Sequence, residues 1–447
     1  MKKILFFFLF VNAVTFAQFI VKGTMQEIED PSWVLLYKIE GTKEVFLKNT
    51  QIKKEGSIGL FEFILPDDSK QGSYRIKFNL KENGFIDFLF NKEDIAIDFN
   101  PKDPNNTIIY KKSEENKIYT TFLNDIASAQ FKIDSIQREY FKSPSEILKE
   151  FYNSWLIKLK KIQKNYIQIS QGTLVYHFIK ASDRYNANEI VNNPEEYITN
   201  SINHFFDHIE FSNEVLYNSS FLVDRISDYI FYLNYSTDQK KQKELFKKAS
   251  SIVIEKIENL SFKTDVIEFL ISQFTVIQSP EVVEYLFANH YYSLPKEKQN
   301  VNFKKKIFEK ISIAIGMIAP DFSWEENGKQ ILLSNIKDGL SYLLIFYSTE
   351  CSHCLKEVPK VFEFMKLNKN TKVIAFAMET SKKKWMNYKN NMPGWHHVLG
   401  LKKWENKIAK MYQVNSTPTY FVLGMNKEII SKPERIEDLK LVLEQLN

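Results

Sequence analysis

The chemistry that this sequence offers is concentrated in its two cysteines, Cys351 and Cys354, which flank Ser352 and His353. A nearly continuous apolar run at residues 340–347 predicts a buried strand just before the pair, and a helical pattern follows it. Cys351 is therefore expected at a helix N-terminus, where free backbone N–H groups and the helix dipole stabilise a thiolate. Because the thiolate attacks in disulfide exchange, Cys351 is the predicted nucleophile, and the more enclosed Cys354 is predicted to resolve the mixed disulfide.

A Cys-x-x-Cys pair can also be half of a zinc site, which needs two further ligands. The sequence contains no other cysteine. His204 and His208 lie four positions apart on a predicted helix with Asp207 beside them, but no third ligand is evident on the same face. The sequence therefore predicts no metal site and no cofactor other than a redox-active disulfide between the two cysteines.

The elements around the cysteines alternate between strands and helices. Apolar runs at residues 372–378 and 420–423 predict two further buried strands. Helices are predicted at residues 355–367, 404–412 and 434–446. The pattern indicates an α/β domain over residues 311–447.

Downstream of the cysteines, Thr417 and Pro418 directly precede the last of these strands. The motifs that carry a family resemblance are the strand–Cys-x-x-Cys–helix unit, Gly316-Met-Ile-Ala-Pro-Asp-Phe322, Glu357, Pro359 and residues 412–422. In combination they resemble the thioredoxin superfamily, and within it the exported TlpA/ResA-like thiol–disulfide oxidoreductases. The resemblance covers about the last 130 residues. It implies that Pro418 is cis and faces the cysteines, and that the Thr417 backbone pairs with an extended substrate segment.

The resemblance also implies a role for Glu357, three positions after the second cysteine. In the TlpA-type branch a glutamate at this position lies near the thiols and influences their protonation. The alternative is a glutamate on an exposed helix surface. Pro359 matches the helix-kinking proline of the family, which is structural.

Four positions depart from the family pattern, namely Glu350, Ile345, Ser352 and His353. Glu350 stands where many thioredoxins have tryptophan, and an anion there should oppose thiolate formation at Cys351 and disfavour acidic substrates. Ile345 stands where thioredoxin has a buried acid, so no proton-transfer role is assigned there. A histidinium at His353 would stabilise the thiolate and make the pair more oxidising. Glu350, Ser352 and His353 are thus predicted to tune the pair, with Glu350 and His353 acting in opposite directions.

The first 17 residues have the layout of a secretory signal peptide. Lys2 and Lys3 precede an apolar stretch at residues 4–14, and cleavage is predicted after Ala17. The stretch is short for a permanent anchor, which needs about 20 residues, although an uncleaved anchor extending to Ile20 is the alternative. No cysteine follows the stretch, so a lipoprotein is not predicted. We expect a soluble protein in the periplasm or cell envelope.

Two further domains are predicted before the α/β domain, so the chain is expected to be multidomain. Residues 18–110 contain short alternating strands that predict an antiparallel β-sandwich. Residues 111–310 have helical periodicity and predict an all-α domain of six to eight helices. The aromatic residues of this helical domain are interpreted as core, with a peptide-binding groove as the alternative. His396 and His397 are expected in an exposed loop.

The predicted function is that of an extracytoplasmic thiol–disulfide oxidoreductase that reduces disulfides of exported proteins, with a membrane electron donor or acceptor as partner. An oxidase or isomerase is the sibling alternative, and a redox-sensing or binding and assembly protein is the alternative of another class. The net charge of +5 comes from dispersed lysines, which favours solvated helix faces over a nucleic-acid-binding surface. The layout resembles exported Bacteroidetes proteins, which implies that the first two domains serve substrate binding or docking. The oligomeric state stays open.

Overall fold

The computed structural model describes residues 18–28, 33–79 and 84–446. The predicted signal peptide at residues 1–17 lies outside the described residues. The chain divides into two compact units, one that ends at Val266 and one that begins at Ile267. The predicted domain boundaries near residues 110 and 310 stay predictions. Within the described ranges, no helix has the length and apolar character needed to cross a membrane.

The first unit begins with two β-sheets. Their strands are β1 (Gln18–Met25), β2 (Trp33–Glu40), β3 (Lys43–Gln51), β4 (Lys53–Glu55), β5 (Ile58–Pro66), β6 (Gly72–Asn79), β7 (Gly84–Phe90), β8 (Ile95–Phe99) and β9 (Ile109–Lys112). The strand orders are β4-β5-β1-β8-β9 and β3-β2-β6-β7. Alternate residues of both sheets, such as Val21 in β1 and Ile76 in β6, belong to one hydrophobic core. The sandwich arrangement itself stays a prediction.

One strand pair of this region is not antiparallel as predicted. Strands β1 and β8 run parallel, with Val21 opposite Ile95. Side chains alternate with a period of two in parallel and antiparallel strands alike, so the sequence pattern does not encode strand direction. The predicted β-structure is confirmed, and the prediction of a wholly antiparallel fold was wrong at this pair.

The predicted helical middle of the chain is confirmed. A short helix α1 (Pro104–Thr107) precedes α2 (Glu114–Lys142), α3 (Glu146–Ile169), α4 (Leu174–Ala181), α5 (Pro194–Asn203), α6 (Glu214–Tyr217), α7 (Ser220–Ser227), α8 (Gln239–Lys256), α9 (Leu260–Val276), α10 (Pro280–Leu286) and α11 (Val301–Ile311). The division between the two units falls within α9. In the fully described stretch from Glu114 to Ile311 this makes ten α-helices rather than six to eight, because several are too short to show a periodic pattern.

Local capping explains where the helices of this region begin. The Ser145 side chain accepts a hydrogen bond from the backbone N–H of Leu148 at 3.3 Å and caps α3. Asn193 caps α5 in the same way, with Pro194 at the first helical position. Phe122, Ala129 and Ile133 recur at helical spacing along α2 and are buried.

The second unit continues from α11 into an α/β arrangement. It contains β10 (Ser323–Glu326), β11 (Lys329–Leu332), β12 (Ser341–Tyr347), α12 (Ser352–Met365), β13 (Thr371–Glu379), α13 (Lys382–Lys389), β14 (His396–Leu401), α14 (Lys407–Met411), β15 (Thr419–Leu423), β16 (Ile429–Ser431) and α15 (Ile436–Gln445). The main sheet has the order β14-β13-β12-β15-β16. The central strand β12 is parallel to β13 and antiparallel to β15. Every residue of β12 is buried, as its apolar run predicts.

Both faces of this sheet are covered by apolar side chains. On one face, Val358 of α12, Trp385 of α13 and Leu439 of α15 join a single core. On the other face, Phe322 and Tyr412 belong to a second core. The layered packing fixes the position of α12 above the end of β12, which is where the cysteines lie.

The predicted loop position of His396 and His397 was wrong. Both residues begin strand β14, which is parallel to β13, and both are half-buried. The two ring nitrogens of His396 lie 2.8 Å from Glu326 and 3.0 Å from Asp338. The turn that contains Gly394 ends just before them. The predicted loop is therefore correct for the residues before His396, but it wrongly included the two histidines.

Leu439 and Leu441 of α15 offer a matched test of this packing. The Leu439 side chain is 0% exposed and that of Leu441 is 60% exposed. We expect Leu439→Ala to lower the free energy of unfolding of the second unit by about 2–5 kcal/mol, because it leaves a cavity in the core. Leu441→Ala should change it by no more than about 0.5 kcal/mol. Urea denaturation of the full chain measures both, and equal losses would contradict the described packing of α15.

Candidate functional site: the two cysteines at the start of α12

The chain segment between β12 and α12 is held by hydrogen bonds to its neighbours. The backbone N–H of Thr349 donates to Glu379 at 2.6 Å, and the Thr349 hydroxyl donates to the other carboxylate oxygen at 2.9 Å. Glu379 ends β13 and is fully buried. The N–H of Cys351 donates to the carbonyl of Ser348 at 3.2 Å. These contacts fix the turn that delivers Cys351 to the helix.

Cys351 is the N-cap residue of α12. Its Sγ accepts a hydrogen bond from the backbone N–H of Cys354 at 3.3 Å. Burial by itself raises the pKa of Cys351, but hydrogen bonds to its sulfur outweigh this effect. The donors are the Cys354 thiol, the Thr417 side chain and the backbone N–H groups of Cys354 and His353. The net shift of the Cys351 pKa is downward. The sequence prediction of a thiolate stabilised at a helix N-terminus agrees with this geometry.

The two thiols differ strongly. Cys354 is fully buried, whereas Cys351 is partly exposed. Burial raises the pKa of Cys354 to about 12, and the neighbouring Cys351 sulfur adds to the effect. Both cysteines are free. At neutral pH Cys351 is thus the sulfur that is both accessible and more readily ionised.

Thr417 and Pro418 lie beside this pair. The peptide bond between them is cis, as the family resemblance implies. Because β15 runs antiparallel to β12, with Thr419 opposite Phe346, the start of β15 lies beside the end of β12. The Cys351 thiol accordingly lies 3.4 Å from the carbonyl oxygen of Thr417 and donates to it.

Glu357 is not an exposed surface residue. Its side chain is 14% exposed, and its carboxylate bridges two neighbours. One oxygen accepts a hydrogen bond from the hydroxyl of Tyr420 at 3.0 Å, and the other lies 3.3 Å from Nε2 of His353. Burial raises the pKa of Tyr420, and the negative charges of Glu357 and Cys354 raise it further. Tyr420 therefore lies within electrostatic reach of both Glu357 and Cys354.

The predicted tuning residues have partners that limit their effect on the thiols. Glu350 forms an ion pair with Lys403 and accepts a hydrogen bond from Thr380 at 2.7 Å. Lys403 and then Thr380 lower the pKa of Glu350, so its charge is compensated locally. The His353 side chain is exposed, and its imidazole lies beside the Glu357 carboxylate. The part of His353 that lowers the pKa of Cys351 is its backbone N–H. Ser352 is exposed in the first turn of α12.

His204 and His208 are not brought together on one helix. Helix α5 ends at Asn203, and the chain continues in tight turns that bury Phe206. His204 pairs with Asp207 at 2.7 Å, and His208 faces another carboxylate at 3.8 Å. Over the part of the chain that the structure describes, no three His, Cys, Asp or Glu side chains are grouped to hold a metal.

Sequence reasoning missed Glu379 and Tyr420, which both support the site. Glu379 directly follows a predicted strand, and the ends of parallel neighbouring strands meet at one edge of a sheet. Tyr420 comes two residues after Pro418 and was interpreted only as part of a strand. The alternation of inward- and outward-pointing residues could have directed Tyr420 towards α12, but no local signal named Glu357 as its partner.

The comparisons with known proteins agree with this site. A family model described as thioredoxin-like matches residues 339–429. The second unit therefore contains a thioredoxin-like domain that includes both cysteines and the cis-proline. No curated protein matches the chain.

Several solved structures are similar to parts of the chain. The thioredoxin domain of a thiol-disulfide oxidoreductase from Bacteroides vulgatus is 22% identical, with 30% of this chain and 99% of that chain covered and a TM-score of 0.27. A thiol-disulfide oxidoreductase from Bacteroides fragilis is 23% identical, with coverages of 29% and 99% and a TM-score of 0.26. A thioredoxin-like protein from Bacteroides caccae is 17% identical, with coverages of 59% and 98% and a TM-score of 0.30. These scores are too low to assign an activity to this chain.

The contrast between the two thiols predicts selective alkylation. With the protein reduced at neutral pH, iodoacetamide should modify Cys351 and leave Cys354 unmodified, because Cys354 is buried and its pKa is about 12. The Cys351 rate should rise with pH, with a midpoint below that of an ordinary cysteine thiol, since the Cys351 pKa lies below its ordinary value. Peptide mass spectrometry after quenched alkylation measures both rates. Modification of Cys354 first, or of Cys354 in a Cys351→Ser variant at neutral pH, would contradict the assignment.

Proposed function

We propose that this protein is an extracytoplasmic thiol–disulfide oxidoreductase that reduces disulfides of exported proteins. The observation that carries the proposal is the difference between the two thiols at the start of α12. An accessible sulfur with a lowered pKa stands three residues before a buried sulfur with a raised pKa, in the order that a dithiol exchange requires.

In the proposed reaction the Cys351 thiolate attacks one sulfur of the substrate disulfide. The substrate S–S bond breaks, a mixed disulfide forms, and the first substrate sulfur leaves with the electron pair and takes a proton from water. Cys354 then loses its proton towards the Glu357 carboxylate and attacks the Cys351 sulfur. The second substrate sulfur leaves in the same way, so the substrate is reduced and Cys351 and Cys354 are oxidised to a disulfide.

The surroundings of the pair give each neighbour a role in this scheme. In this proposal the backbone next to the cis Thr417–Pro418 bond pairs with an extended substrate segment, and Pro418 faces the cysteines. Glu357 moves or tunes the proton of the buried thiol. The two N-terminal regions, including the β-sandwich, bind or dock the substrate protein.

Reduction is the favoured direction because little extra charge stabilises the thiolate. A strongly oxidising pair has a greatly stabilised reduced form. Here the imidazole of His353 is paired with Glu357, so it does not act as an isolated positive charge beside Cys351. A reductase in the periplasm or cell envelope needs a membrane electron donor, and the signal-peptide layout of residues 1–17 supports export.

The redox potential of the pair tests the proposal. A reductase should equilibrate near the roughly −270 mV of thioredoxin, well below the roughly −120 mV of a strong oxidant. Equilibration of the mature protein with glutathione or dithiothreitol, followed by alkylation, measures the value. A potential near −120 mV would replace the reductase by an oxidase or isomerase. A pair that does not cycle, or a Cys351→Ser, Cys354→Ser variant that keeps its partner and phenotype, would favour the scaffold or sensor alternative.

Glu357 and Glu363 give a second, matched test on one helix. Glu357 contacts Tyr420 and His353 beside the thiols, whereas Glu363 is exposed and pairs with Lys366. Glu357→Gln should slow turnover of a disulfide substrate at pH 7 at least about tenfold, since a positioned proton acceptor is lost. Glu363→Gln should leave turnover unchanged. Equal rates for the two variants in an insulin-reduction assay would remove Glu357 from the mechanism.

A further inference from the structure

The buried side of Cys354 belongs to the same core as three aromatic side chains that carry polar groups. Tyr347 is the last residue of β12, and Trp385 and Tyr388 lie one turn apart on α13. Tyr347 is fully buried and Trp385 is 6% exposed. The rings of the two tyrosines are 5.9 Å apart. We refer to Tyr347, Trp385 and Tyr388 as the donor cluster.

The polar atoms of the donor cluster have no hydrogen-bond partner among the described residues. Three buried atoms lack a partner, namely the hydroxyl oxygens of Tyr347 and Tyr388 and Nε1 of Trp385. The Trp385 N–H lies close enough to the Tyr347 hydroxyl to affect its pKa, but not in hydrogen-bonding geometry. A buried donor without a partner is costly, and phenylalanine would fill the same space without that cost. Polar groups grouped in this way commonly hold internal water.

Two of these groups lie within electrostatic reach of the resolving thiol. Burial raises the pKa of Tyr347 and of Tyr388, and the negative charge of the Cys354 thiolate raises both further. Both hydroxyls therefore keep their protons at neutral pH, and the indole N–H of Trp385 can only donate. All three groups are hydrogen-bond donors, which is the complement of an anion.

Other titratable groups face the same sulfur. Cys351 adjoins Cys354 on α12, and Tyr420 approaches from β15 with its hydroxyl bound to Glu357. The carboxylate of Glu379 also acts on Tyr347 and raises its pKa. The donor cluster therefore lies within electrostatic reach of both the Cys354 sulfur and a buried carboxylate, so the charge that it meets is negative.

We propose that the donor cluster stabilises the Cys354 thiolate through internal water while Cys354 resolves the mixed disulfide. The inference rests on the proposed function and deepens it. Cys354 gives its proton towards Glu357, its sulfur bonds to the Cys351 sulfur, and the bond between Cys351 and the substrate sulfur breaks. The donor cluster takes up no proton and no electrons. It acts by lowering the free energy of the ionised sulfur in a site whose burial opposes ionisation.

Stopped-flow reaction of the reduced protein with 4,4′-dithiodipyridine separates the two steps. Attack by Cys351 releases the first pyridinethione, and attack by Cys354 releases the second. In a Tyr347→Phe, Tyr388→Phe variant the second phase should slow about tenfold, and its pH midpoint should rise by about one unit, because hydrogen bonds to a charged sulfur are lost. The first phase should be unchanged.

Tyr342→Phe is the matched control. Tyr342 lies on the same strand β12, and its hydroxyl donates to the carbonyl of Ile336 at 3.0 Å. It should leave both phases unchanged. Because Tyr347 is central to the core, Tyr388→Phe alone is a milder second variant, which should shift the second phase in the same direction by about threefold.

The outcomes distinguish the two proposals. A wild-type protein that releases no first pyridinethione would overturn the proposed function. A normal first phase together with a second phase whose rate and pH midpoint are the same in wild type, in Tyr388→Phe and in the double variant would overturn the role of the donor cluster alone. A second phase slowed equally by Tyr342→Phe would also overturn it, since the effect would then come from general loosening of the strand.

Discussion

The site depends on one contact, the hydrogen bond from the backbone N–H of Cys354 to the sulfur of Cys351. It exists only if Cys351 caps α12, and this requires the chain to turn sharply after β12. Two hydrogen bonds that Thr349 donates to Glu379 on the adjacent strand hold this turn in place. The order of the sheet, with β13 and β15 on either side of β12, supplies Glu379 from one neighbour and Thr417 from the other. The reactivity of one sulfur is thus a property of three strands and a helix.

The same arrangement places the side chains of Cys351 and Cys354 in different environments. Cys351 meets backbone donors and remains partly exposed, whereas Cys354, one helical turn away, enters the core beside Val358 and Tyr420. Desolvation penalises the ionised form of Cys354, and the dipole of α12 favours that of Cys351. No charged residue is needed to create this difference. The charged residues nearby pair with one another and only adjust it.

Much of the fold of the second unit could be predicted from the sequence because its signals are local. The apolar run of β12, the Cys-x-x-Cys spacing and the Thr417–Pro418 motif each identify their own element. The direction of β8 relative to β1 could not be predicted, since period-two alternation does not record strand direction. His396 was misplaced because a turn signal at Gly394 does not say where the next strand begins. The partners Glu379, Lys403 and Tyr420 were missed for a different reason, since they are distant along the chain and adjacent only through the sheet.

The ion pair between Glu350 and Lys403 has a consequence for how the protein meets its substrates. Without Lys403, the residue before Cys351 would present an uncompensated negative charge to an approaching chain. With the pair formed, that charge is compensated locally, and Lys384 adds a positive charge nearby. Under the proposed function, a substrate segment with acidic residues meets no net repulsion from this position, so Glu350 does not select against acidic substrates as its charge alone would suggest.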